Sequence, residues 1–154
     1  MNVVAVLVWG TVATIVLTVI LEYSRAAGFS RISFPYILGT MVTPDRRKAP
    51  VIGSIIHLAN GLLFAFAYAL CFETIGKATW WTGALLGLTQ TAIAFVTIDY
   101  IAGVHPRMAT DQDGPEARAA LQPPGFLALN YGTATPIVGL IAHLAYGAIL
   151  GGFL

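Results

Sequence analysis

The sequence predicts an all-α fold, a bundle of four transmembrane helices in up-down order built from a tandemly duplicated helical hairpin, and three observations carry that prediction. The first is composition: of 154 residues 57% are hydrophobic and 10% charged, far below the roughly one-quarter charged content of soluble domains. The second is a set of four apolar runs, about 3–21, 51–72, 79–98 and 134–154, none containing Asp, Glu, Lys or Arg. Each meets the roughly 20 residues a helix needs to cross about 30 Å of hydrocarbon, and lacks the alternation of a membrane β-strand. The third is a repeat. Residues 51–64, VIGSIIHLANGLLF, reappear as 137–150, IVGLIAHLAYGAIL, with Gly53/Gly139, His57/His143 and Gly61/Gly147 in register.

The first run lacks a basic residue before Arg25 and pairs with the third in the repeat, so it reads as a retained span and not a secretory signal. Glu22-Tyr23 closes it as Asp99-Tyr100 closes the third. Phe34 to Val42 is apolar but too short to span, which suits a re-entrant or interfacial piece. Pro50 and Pro136 suit the first turns of spans two and four, with Thr133 and Thr135 as capping candidates. Cys71 is expected to pack within span two. Trp80 and Trp81 at the start of span three, with Tyr23 and Tyr100 at the other end, suit interfacial anchors. Gln90, between Thr89 and Thr91, calls for an interhelical hydrogen bond.

Between spans three and four lies a polar stretch. His105 to Met108 reads as a solvated loop that could also supply a ligand or a lipid-phosphate contact. Asp111 to Glu116 has some features of a calcium loop without its full ligand series. Residues 117–121 suit a short helix ended by Pro123-Pro124-Gly125, and Phe126 to Tyr131 suits an interfacial segment or an extension of span four.

Domain organisation follows from the repeat: one transmembrane domain over 1–154, with halves of about 1–78 and 79–154. Each unit holds two spans, so both enter the membrane in the same direction and their histidines share one depth. His57 and His143 lie seven residues beyond Pro50 and Pro136, about 10 Å along the helix. On each helix Gly, His and Gly fall at i, i+4, i+8, leaving a groove for a neighbouring helix or a flat ligand. Asn60 and Tyr146, three residues past the histidines, mark where the copies differ.

Charge sets orientation. Seven of eight basic residues fall between spans one and two or three and four, with Lys77 alone on the other side. The positive-inside rule then makes loops 23–50 and 102–133 cytoplasmic and both termini external, in a bacterial cytoplasmic membrane. The net charge of +1, with no basic stripe interleaved with aromatics, excludes a nucleic-acid partner. The expected partners are the lipid bilayer and other membrane subunits or further copies of the chain. No nucleophile elbow, P-loop, dinucleotide fingerprint or CxxC motif is present, so no familiar enzyme class is indicated.

Three readings of the histidines stand side by side. In one they serve close helix packing in an accessory or assembly subunit, with a polar intramembrane pocket around His57 and His143 that includes Asn60, Tyr146 and Gln90. In the second they bind haem b, with Gly53, Gly61, Gly139 and Gly147 making room. A first-row transition metal held by His57, His143, Glu22 and Asp99 is the variant of that reading. In the third a His57/Glu22 or His143/Asp99 couple passes a proton or holds a cation, in a small-solute or proton pathway through an oligomer. The His57-x-x-x-Gly61 and His143-x-x-Tyr146-Gly147 helices, His105-Pro106, and Pro124-Gly125-Phe126 through Asn130-Tyr131-Gly132 together resemble those of small four-helix bacterial integral membrane proteins. That resemblance covers most of the chain; it implies the fold and brings no catalytic residue with it.

Overall fold

The computed structural model describes residues 1–109 and 120–154, and every regular element among them is helical. In order these are α1 (Val3–Ala26), α2 (Phe34–Val42), α3 (Ala49–Ile75), α4 (Trp80–Thr97), α5 (Ile101–Val104) and α6 (Thr135–Phe153). A 3-10 turn at Ile98–Tyr100 joins α4 to α5, and another 3-10 segment, Phe126–Tyr131, precedes α6. The four helices α1, α3, α4 with its continuation to Val104, and α6 are long and apolar enough to cross a membrane. The expected calcium loop at Asp111 to Glu116 and most of the helix expected over 117–121 lie outside the described residues.

Local chemistry sets the helix ends. The Asn2 side chain accepts from the Ala5 amide at 3.2 Å, and Ser33 caps α2 ahead of Pro35. Thr79 and Thr82 form a reciprocal capping box at the start of α4, so two amides that would otherwise lack partners are satisfied. Gly76, at φ 69°, closes α3 in the left-handed conformation that glycine adopts without a Cβ penalty. Prolines open α3 and α6 as expected. The threonine cap expected for α6 is absent: Ala134 occupies the cap position, and Thr135 shares a buried hydrogen bond with Ser30 at 2.8 Å.

The helices pack in the order α3, α1, α6, α4. Gly10 meets Ala65, Thr14 meets Gly61 and Thr18 meets His57, so α1 and α3 run antiparallel. In α4 and α6 the meeting points are Gly83 with Gly147 and Gly151, Gly87 with His143, and Phe95 with Gly139. The α4–α6 seam is backbone against backbone, the approach that small residues permit where lipid offers no hydrophobic drive for association. α1 is held to α6 by the stacked rings of Trp9 and Phe153, 3.9 Å apart, and by the Ser30–Thr135 bond. The core follows this line through Ala13, Leu17, Ala65, Ala142, Tyr146 and Leu150. α3 and α4 are joined by a short turn yet share no extensive contact.

A second core caps one end, built from Ile32, Ile37, Phe95, Ile98, Met108 and Ala128. α2 lies against the start of α3, where Gly39 faces the Ala49 backbone and Gly53 faces Pro35 and Gly39. His105, expected in a solvated loop, is instead 4% exposed. Its Nδ1 accepts from the Arg107 amide at 3.1 Å and its Nε2–H donates to the Ile37 carbonyl at 3.0 Å. The Arg107 guanidinium donates to the Thr40 carbonyl at 2.5 Å, meeting the unpaired carbonyls and negative dipole at the end of α2. The Phe126–Tyr131 segment does not lengthen α6. It turns through left-handed Leu127 and Ala128 and is tied back to Arg31, whose amide donates to the Tyr131 carbonyl at 2.7 Å.

Candidate functional site

The gap between α3 and α4 is a cleft of about 650 Å³. α1 and α6 form its floor with Thr14, Leu17, His143 and Tyr146, and α2 closes one end with Phe34 and Leu38. One wall is α3, carrying His57, Asn60, Gly61 and Tyr68; the other is α4, carrying Leu86, Gln90, Ile93 and Ala94. Exposed Phe64, Ile93, Tyr100 and Val104 mark its rim. Apolar walls with a few convergent polar groups are the usual make-up of a ligand site.

The partners of each imidazole determine its tautomer. The Thr18 hydroxyl donates its single hydrogen to the Thr14 carbonyl at 2.7 Å, so at 3.2 Å it accepts from His57 Nδ1–H. His143 Nδ1 lies 2.8 Å from the Gly139 carbonyl, which can only accept. Both rings are therefore held with hydrogen on Nδ1, and each Nε2 presents a lone pair. Neither Nε2 has a partner among the described residues, and neither is sealed off. Phe34 stacks on the His57 ring, centroids 6.1 Å apart. Gly87 lets α4 close on the His143 carbonyl, which fixes the height of that ring's backbone.

Two tyrosines, Tyr146 on the floor and Tyr68 on the α3 wall, organise the cleft. Tyr146 donates to the Gly61 carbonyl at 2.5 Å, and its ring meets Tyr68 edge-on, centroids 5.5 Å apart. Tyr68 donates across the cleft to Gln90 Oε1 at 2.7 Å. Gln90 thus makes the interhelical bond expected of it, and its amide N–H groups stay available. Sequence reasoning passed over Tyr68 and Thr18. Tyr68 lies seven residues past Gly61, on the same helical face, a spacing that could have drawn attention to it.

The structure brings His57, His143, Asn60, Tyr146, Gln90 and Gly61 to this one cleft. The other glycines serve packing: Gly53 against α2, Gly139 against the Phe95 ring, Gly147 against Gly83 and Gly87, while Gly61 also receives Thr14. Of the two roles open to the glycine stripes, a neighbouring helix fills them. Glu22 lies within electrostatic reach of His57. Its carboxylate is engaged by Arg25 at 2.8 Å and by the Ser33 hydroxyl at 2.6 Å. Asp99 is exposed and off the cleft lining. Among the described residues no three His, Cys, Asp or Glu side chains form a metal-binding group. Cys71 lies within α3, the second span, and is exposed at the cleft edge.

No family model, no curated protein and no solved structure matches the chain. No activity reaches it by likeness to another protein.

Proposed function

We propose that the chain is a non-catalytic accessory subunit of a bacterial cytoplasmic membrane, and that its lateral cleft holds a lipid-soluble molecule. The size and lining of the cleft carry this reading. The cleft has a volume of about 650 Å³. It falls within the range of roughly 300–1,000 Å³ typical of small-molecule sites. The ligand would enter sideways from the bilayer, between helices that do not pack together. Partner subunits or further copies would bind the remaining apolar faces. In this reading the α1/α3 and α4/α6 pairs are copies of one hairpin in up-down order, with the arginine-rich end cytoplasmic and both termini outside.

Haem iron between the imidazoles is a second reading, favoured by the anchored Nδ1–H groups, since ligating histidines are commonly oriented in this way. With two protein ligands at hand, an iron there would have to bring its own equatorial set, as haem does. Purification in mild detergent followed by absorption spectroscopy and mass spectrometry of the organic extract tests both readings. A stoichiometric lipid-soluble compound that is lost from Ala94→Trp is the expected result. Bulk lipid alone in both proteins would refute the cleft reading, and a Soret band lost from His57→Ala and His143→Ala would assign haem.

A further inference from the structure

We infer that the molecule held in the cleft is a quinol, bound in its reduced, dihydroxy form in preference to the quinone. This rests on the cleft being a ligand site. Hydrogen-bond polarity selects the headgroup. His57 and His143 have spent their N–H groups on Thr18 and Gly139, so both offer an acceptor to the cleft. Two acceptors ask for a headgroup with two donors. A quinol supplies two phenolic O–H groups, whereas a quinone has only carbonyl oxygens, which would set lone pair against lone pair and leave both Nε2 atoms unmet. The amides of Gln90 and Asn60 can donate to the ring oxygens of either form, so discrimination falls to the histidines. Phe34, Phe64 and Tyr68 give the lining an aromatic character suited to a flat ring. The opening toward lipid leaves room for an isoprenoid tail.

Binding of decylubiquinol, decylubiquinone and 1-monoolein to the purified protein in detergent, followed by calorimetry, tests the inference. Decylubiquinol is expected to bind roughly 30-fold more tightly than the quinone, the factor for two hydrogen bonds of ordinary strength. His57→Phe and His143→Phe should each reduce that preference roughly fivefold. Equal affinity for the two redox forms in the unaltered protein overturns the inference without recourse to any variant, as does tighter binding of monoolein. If equal affinities are abolished by Ala94→Trp, the cleft remains a ligand site and only the quinol assignment fails. If no probe binds, and Ala94→Trp changes nothing in the co-purified extract, both readings fail together.

Discussion

Replacing Gly147 by alanine isolates what holds α4 to α6. A Cβ on Gly147 would stand 2.8 Å from the Gly83 carbonyl carbon and 3.2 Å from the Gly87 nitrogen. Comfortable heavy-atom contact begins near about 3.5 Å, so the helices must part by roughly 1 Å, enough to forfeit up to about half of each affected dispersion contact. Backbone atoms of a helix cannot swing aside as a side chain can. Overpacking of this kind costs about 3 kcal/mol, while the better helix propensity of alanine returns about 1 kcal/mol. The net loss is about 2 kcal/mol. Gly103→Ala is the control, because nothing lies within 4 Å of a Cβ there; it should be neutral or stabilising by up to about 1 kcal/mol. Gly139→Ala falls between, since its obstacle is the tip of the Phe95 ring. Reversible unfolding of the three variants in bicelles measures the order. If Gly147→Ala is as stable as Gly103→Ala, backbone contact does not hold the α4–α6 seam.

His105→Ala should cost about 1–2 kcal/mol by leaving the Arg107 amide without its acceptor and removing one of the bonds to the Ile37 carbonyl, which still accepts from the Thr40 hydroxyl at 2.9 Å, and hydrogen exchange should rise first in α2. Arg107→Ala should fray only the last turn of α2, with faster exchange near Thr43, whose amide bonds to the Gly39 carbonyl at 2.9 Å; unchanged exchange there would count against the guanidinium cap. Tyr146→Phe removes the bond to Gly61 and should lower stability by about 1 kcal/mol while leaving helix content unchanged by circular dichroism. Burial raises the Tyr131 phenol above its ordinary range, with Arg31 acting in the opposite sense. Its contribution to stability is therefore fully present below about pH 10 and is lost as pH rises through the folded value. Absorbance at 295 nm should show a late-titrating tyrosine that is missing from Tyr131→Phe.

The four long helices were legible from the sequence because crossing a bilayer leaves little choice. A charge-free run of about twenty residues must satisfy its backbone internally, and Pro50 and Pro136 mark the starts of α3 and α6 as short-range signals. The close-packing surfaces were legible too, since Gly53, Gly61, Gly139 and Gly147 fall on helical stripes whatever lies opposite. Gln90 needed a partner for the same local reason: an amide in an apolar helix.

What lay opposite was decided by tertiary structure alone. Thr18 and His57 are 39 residues apart, His105 and Ile37 are 68 apart, and Tyr146 and Gly61 are 85 apart. No periodicity encodes such pairings, because each depends on which helix faces which and at what height. The sequence marked His57 and His143 as a pair, but which nitrogen each turns toward the cleft follows from the Thr18 hydroxyl and the Gly139 carbonyl. The cleft itself is a gap between consecutive helices. It exists because α3 packs on α1 and α4 packs on α6, leaving both with glycine seams already filled and no matching surface for each other.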